Sequence, residues 1–183
     1  MENYALSIAN YFVLLSQQDE LILRPLKLVK LVYIAHGYLL ALFDLPTEEM
    51  KHEPVEAWSY GPVFPSVYYS FKDYGNGPIT RMTMLDDFSK PKKSGGYDRQ
   101  TPLASNRIVK AVCEFVWKKY AIYTDATLVA VLHAPDTPWS RTYKEGEKAI
   151  IPDSLTKAYY RNMIDETLKS KRHEQRELVE EAV

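Results

Sequence analysis

Apolar residues recur along the first stretch of the chain at helical spacing. Ala5, Ile8, Ala9, Phe12 and Val13 fall at i, i+3, i+4, i+7 and i+8, the stripe of an amphipathic helix. The pattern predicts a helix over 2–16, ended by the polar run Gln17-Gln18-Asp19-Glu20. A second helix is predicted from Pro25, a residue suited to a first turn because its missing N–H has no helical partner there. Leu28, Leu31, Val32, Ala35, Leu39 and Leu42 form its apolar face, Lys27 and Lys30 sit off that stripe, and Asp44-Leu45-Pro46 closes it. Gly37 interrupts this helix at a cost of about 1 kcal/mol relative to Ala. Close approach by another element is the reason such a glycine is tolerated.

The following elements are shorter. Pro54–Trp58 reads as a strand feeding the turn Tyr60-Gly61-Pro62, and Pro65-Ser66 starts a helix through Tyr74 with Val67, Phe71 and Tyr74 on one side. Gly75-Asn76-Gly77-Pro78 is the strongest turn signal, and Ile79–Leu85 reads as a second short strand. Lys90–Pro102, with its lysines, glycines and prolines, reads as an exposed loop. A helix over Ser105–Tyr120 is expected to bury Ile108, Val112, Phe115 and Val116, with Lys119 on the same stripe. Thr124 can cap a helix running to His133, and a Pro-rich turn spans Ala134–Trp139. Pro152 and Asp153 open the last helix, where Tyr160, Met163, Ile164, Thr167 and Leu168 repeat at helical spacing. The expected fold is a mainly α, compact multi-helix domain over 1–168 with a small two-stranded β element near 54–58 and 79–85. A charged helix end or tail follows over 169–183.

Composition narrows the function classes. The 183 residues carry 23 Lys+Arg and 24 Asp+Glu, a formal charge of −1. This balance speaks against a nucleic-acid grip, whose footprint is a basic excess. Lys27, Lys30, His36 and Asp44 break the longest apolar stretches before the roughly 18 residues a membrane span needs. Cys113 is the single cysteine, so no internal disulfide forms and a reducing, cytoplasmic setting is expected. No basic, apolar leader with a cleavage site is legible at the N-terminus. The 14 tyrosines against 6 Phe and 3 Trp are the unusual feature, because Tyr carries both a buriable ring and a polar handle.

Catalytic patterns are sparse. His36, His52, His133 and His173 show no zinc-ligand spacing, and no metal or cofactor is expected. Cys113 lies on an apolar stripe and reads as a small core hydrophobe. No nucleophile elbow or phosphate loop is present. The carboxylate pairs Glu48-Glu49 and Asp86-Asp87 read as solvated charges. The chain is therefore expected to be a binding protein rather than an enzyme. The alternative, a small enzyme, would rest on His133, Asp136, Tyr60 and Lys30 converging in a cleft.

Aromatic, Gly and Pro residues cluster at two turns, around Trp58-Ser59-Tyr60-Gly61-Pro62 with Tyr68 and Tyr69, and from His133 through Trp139. They fit either a packed core edge or an aromatic-rimmed surface that binds another protein. Here the sequence resembles a known family. Leu28-x-Lys30-Leu31-x-Tyr33-x-Ala35-x-Gly37 is similar to a helix of the Panacea domain of SocA-like antitoxins. Ala57-Trp58-x-Tyr60-Gly61-Pro62-Val63, followed by Val67-Tyr68, Phe71 and Tyr74-Gly75, resembles its A-W-x-Y-G-P-V segment. Val116-Trp117-x-x-Tyr120, Leu132-His133 with Pro138-Trp139, and Ile151 through Tyr159-Tyr160 resemble later segments in the same order.

The resemblance spans roughly residues 5 to 165 and implies an antitoxin that neutralises a cognate toxin protein by direct contact. Delivery of the toxin to a cytoplasmic protease is a route implied by one relative; a phage-associated interaction protein without a toxin is a further alternative. No membrane partner and no nucleic-acid contact are expected. The candidate partner-binding or structural positions are Lys30, Tyr33, Gly37, Trp58, Tyr60, Gly61, Pro62, Tyr68, His133 and Trp139. The motif tyrosines Tyr33, Tyr60, Tyr68, Tyr74, Tyr120 and Tyr159 are expected to build the fold. Tyr38, Tyr69, Tyr97, Tyr123 and Tyr143 are expected to supply a surface particular to this protein.

Overall fold

A computed structural model describes residues 3–46, 52–91 and 97–180. Helix α1 (Tyr4–Gln18) starts where the Asn3 side chain accepts a hydrogen bond from the Leu6 N–H. Helix α2 (Pro25–Phe43) begins at its proline and ends where Asp44 turns left-handed at φ 53°. It is the axis of the fold: α1, α4 (Arg107–Tyr120) and α7 (Asp153–Glu180) pack around it. By length and composition α2 could cross a membrane, yet 83% of that apolar window is buried inside the protein. This enclosure also corrects the reading of its lysines. Lys27 and Lys30 point into the interior, donating to the carbonyls of Ala121 (2.7 Å) and Pro62 (3.1 Å). A helix packed on every side has no solvent face to offer them.

The β structure differs from the expected pairing. Strand β1 (Val55–Trp58) is the centre of a three-stranded antiparallel sheet, with β2 (Gly61–Val63) on one edge and β5 (Ala149–Ile151) on the other. The register sets Trp58 opposite Gly61 and Val55 opposite Ile151. Ile79–Met84 adds no strand. Its backbone is held instead by α1 and the loop that follows it: Ile79 donates to the Leu23 carbonyl, and the buried Asn10 amide bonds both N–H and C=O of Thr83. Pairing begins only at Leu85, where β3 (Leu85–Pro91) meets β4 (Tyr97–Gln100). The two ends of the expected 90–102 loop are thus strand, while 92–96 lies outside the described residues, as does the Glu48-Glu49 pair.

Short helices complete the domain. In α3 (Pro65–Phe71), Val67 and Phe71 are buried, and the Glu53 carboxylate accepts from the Ser66 N–H at the helix start. Helix α5 (Asp125–His133) is capped by Thr124. The Pro-rich turn proves to hold a helix, α6 (Pro138–Thr142), capped by Thr137. Helix α4 buries Val109, Val112, Cys113, Val116, Trp117 and Tyr120, while Ile108 and Phe115 are exposed. Its inner face is therefore rotated by about one position from the predicted stripe. Helix α7 buries Tyr160 and partly buries Met163 and Ile164, then continues beyond Leu168 as helix to Glu180, exposed over 169–175. The architecture is mainly α with a small β element.

Candidate functional site

The β1–β2 hairpin turns through Ser59-Tyr60 and brings the aromatic cluster to the surface. Alternation along β1 buries Val55 and Ala57 and leaves Glu56 and Trp58 on the outer side. The Trp58 indole N–H donates to the Glu56 carboxylate (2.6 Å), two residues away on the same face. Tyr68 and Tyr69 of α3 meet the Trp58 ring edge-on at 4.8 and 6.2 Å between centroids. Lys148, one residue before β5, places its ammonium 4.6 Å from the Trp58 ring centre, and Lys72 sits over Tyr69. Tyr60 projects from the hairpin tip, 70% exposed. Between hairpin, α2 and α3 lies a groove of about 500 Å³, lined by Lys30, Trp58, Tyr60, Tyr68, Tyr143 and Lys148 among others.

A layer of polar and aromatic side chains backs the groove. His133 stacks on Trp139 at 3.6 Å with rings nearly parallel, and Trp139 stacks on Tyr143 at 4.7 Å. The Trp139 N–H donates to the Trp58 carbonyl (2.8 Å), tying α6 to β1. Gly61 has φ 106°, a conformation that L side chains rarely adopt. A Cβ there would also stand 3.0 Å from Lys30 Nζ and 3.4 Å from His133 Nε2. Glycine is thus what lets the hairpin close over these two groups.

The Lys30 amine is fully buried, and among the described residues no carboxylate pairs with it. Burial pushes its pKa down to about 7, because a desolvated ammonium is disfavoured. Desolvation also lowers the pKa of His133, and the charge of Lys30 adds to that, against a backbone hydrogen bond at Tyr60 that raises it. His133 Nε2 is buried without a hydrogen-bond partner.

Of the ten candidate positions, Lys30, Trp58, Tyr60 and Tyr68 line the groove. Gly61, Pro62, His133 and Trp139 form its backing. Tyr33 and Gly37 lie instead in the α2–α7 contact, where the Tyr33 hydroxyl meets Thr156 Oγ1 at 3.2 Å and Gly37 faces the Tyr160 ring.

The division among tyrosines shifts. Tyr60 and Tyr68, expected to build the fold, are exposed, whereas Tyr38 is buried with its hydroxyl 3.2 Å from that of Tyr120. Tyr69 and Tyr143 are at the groove region, Tyr123 packs on Tyr120, and the Tyr97 side chain lies outside those described. Lys72, Glu147 and Lys148 join the groove without any local sequence signal, since β5 is what carries the last two to it.

Lys30, Tyr60 and His133 do converge, but the amine and the imidazole Nε2 are sealed beneath the surface. Burial also pushes the Cys113 thiol well above its usual range, so it is a core residue and no thiolate.

No curated protein and no solved structure matches the chain. The family model described as "Antitoxin SocA-like, Panacea domain" matches residues 28–140, a span that contains most of α2, the hairpin, α3, β3 and β4, α4, α5 and the start of α6. By this match over more than half of its length, the chain belongs to the SocA-like antitoxin, Panacea-domain family.

Proposed function

We propose that this protein neutralises a cognate toxin in the cytoplasm by direct protein–protein contact at the Trp58–Tyr60–Tyr68 groove, without catalysis. The observation that carries the reading is the exposed Tyr60 and Tyr68 beside Trp58, around a cavity backed by the His133–Trp139–Tyr143 stack. Rigid, half-buried aromatics are the usual anchors of protein interfaces. The groove suits an inserted side chain or helix edge of the toxin, and the mixed rim of Lys72, Lys148 and Glu147 favours a partner segment that presents an acidic group to the lysines. The family's antitoxin-like role supports the same reading.

Co-expression with the product of the neighbouring gene tests it. The pair is expected to co-purify and growth to be rescued; failure of both removes the proposal. Tyr60→Ala should weaken binding about tenfold or more, the effect of an interface anchor worth at least ~1.4 kcal/mol. Its melting temperature should stay that of the wild type, because the ring is mostly in solvent. Unchanged affinity would move the interface away from the groove. Toxin half-life separates the two routes: occlusion leaves it unchanged, and delivery to a protease shortens it only when the antitoxin is present.

A further inference from the structure

Away from the groove, three segments distant in sequence converge on one carboxylate. Asp153, the first residue of α7, directs Oδ1 at His36 Nε2 of α2 (3.1 Å) and Oδ2 at His52 Nε2 of the segment before β1 (2.7 Å). Ligand-capable atoms of all three residues lie within 4.8 Å of one another. The remaining ring nitrogens are fixed from behind. His52 Nδ1 stands 2.6 Å from the Glu53 backbone carbonyl and His36 Nδ1 stands 3.2 Å from the Tyr4 hydroxyl.

A carbonyl oxygen only accepts, so His52 Nδ1 carries the proton and donates. Neutral His52 then presents an Nε2 lone pair to a carboxylate oxygen. Between that lone pair and a carboxylate oxygen 2.7 Å away stands either a second proton, which makes His52 an imidazolium, or a metal cation. The Tyr4 hydroxyl can accept from His36 Nδ1, which gives His36 the same outward lone pair. An imidazole held by its other N–H against an oxygen acceptor is the usual setting of a metal-bound histidine. Phe64 packs edge-on against both imidazoles, at 5.1 and 5.9 Å, and His36 is wholly buried. The site is therefore walled by apolar rings on its inner side. The Asp153 side chain is 39% exposed, which leaves the outer side open to solvent.

We propose that His36, His52 and Asp153 bind one divalent transition cation of the zinc class, with solvent in the remaining position. Two imidazoles and one carboxylate match the donors that Zn²⁺ takes, and three protein ligands plus a water is a familiar open zinc set. An oxygen-seeking ion such as Mg²⁺ or Ca²⁺ would find too few oxygens here. With metal–ligand distances of about 2.0–2.1 Å, tetrahedral ligands stand roughly 3.3 Å apart, so the histidine–aspartate pairs open slightly while the three ligand atoms, which lie within 4.8 Å of one another, draw together around the ion. Bound there, the ion would clamp the start of α7 and the segment before β1 onto α2.

The test uses the full chain after chelator treatment and dialysis. Calorimetric titration with Zn²⁺ should show one ion per chain, and added Zn²⁺ should raise the melting temperature as a ligand of the folded state does. Mg²⁺ should do neither. His52→Gln and Asp153→Asn should each weaken Zn²⁺ binding by more than the roughly 10–100-fold seen on losing a second-shell partner, with the circular dichroism spectrum retained. Co²⁺ in its place should give the visible absorption of a low-coordinate site in the wild type and lose it in His52→Gln. The absence of stoichiometric Zn²⁺ binding overturns the proposal. So does Zn²⁺ binding that both variants keep at wild-type strength, which would place the ion elsewhere.

Discussion

Gly37→Ala is expected to destabilise the protein by about 3 kcal/mol, although alanine is the better helix former by about 1 kcal/mol. A Cβ at position 37 would stand 2.3 Å from Cε2 and 2.5 Å from Cδ2 and Cζ of Tyr160. The ring has no room to withdraw. Tyr160 is 3% exposed and is bounded edge-on by Tyr33, Tyr38 and Tyr159 at 6.3, 5.2 and 5.5 Å. Either α7 moves off α2 or the surrounding aromatic rings repack, and overfilling a packed core costs about 1–3 kcal/mol and at times more. For a chain of this size 1 kcal/mol corresponds to roughly 2–4 °C in melting temperature, so a fall of roughly 6–12 °C is expected by calorimetry. Gly37→Leu should be worse and fail to give soluble protein. Combining Gly37→Ala with Tyr160→Leu separates the clash from any loss of backbone freedom. The double variant should recover at least about 1 kcal/mol relative to the sum of the singles. A Gly37→Ala protein that melts with the wild type would refute the close crossing.

That glycine shows what a local pattern can reveal. A helix-breaking residue amid Leu31, Val32, Ala35 and Leu39 signals a neighbour at close range, and the neighbour is α7. Caps were equally legible: Thr124 and the Pro25 start sit where side-chain chemistry places them. The failures share a cause in contacts made across long sequence separations. Ala149-Ile150-Ile151 is too short to show alternation and becomes a strand only because β1 offers an edge. Tyr60-Gly61-Pro62 reads as a turn, yet Gly61 and Pro62 belong to β2, an edge strand, which tolerates proline. Ile79–Leu85 has strand-like residues, but Asn10 of α1 takes up the Thr83 backbone that a partner strand would need. In the groove, the motif residues around Trp58 and His133 were visible one by one. Their stacking order and the arrival of Lys148 were not. His36, His52 and Asp153 carry no ligand spacing because they come from three separate segments, 117 residues apart at the extremes of the His36–Asp153 pair.

The buried Lys30 should make stability depend on pH in a way that a single substitution abolishes. In the unfolded chain its amine titrates near the ordinary value of 10.5, and in the folded chain at about 7. Between these values the unfolded state holds the proton and the folded state has lost it. Raising the pH therefore stabilises the fold across this window, with a slope approaching 1.4 kcal/mol per pH unit. Below pH 7 both states are charged, and the cost of the buried ammonium stays at its maximum. From pH 7 to 9.5 the wild type should gain about 3 kcal/mol from this group. Lys30→Met keeps the length and most of the volume, gives up the hydrogen bond to the Pro62 carbonyl at about 1 kcal/mol, and removes the titration. Tyr4, Tyr33 and Tyr160, whose burial raises their pKa values, contribute alike to both proteins and cancel in the difference. Urea unfolding at pH 7 and pH 9.5 should thus show the wild type rising relative to Lys30→Met by about 3 kcal/mol. Parallel pH profiles would mean that the amine reaches water or an anion in the folded state. The distinction bears on the groove itself, since Lys30 lies beneath the Gly61 turn that holds Tyr60 at the surface. A neutral amine there leaves the floor of the groove uncharged above about pH 8, so that the charges lining the groove are then those of Lys72, Lys148 and Glu147 at its rim.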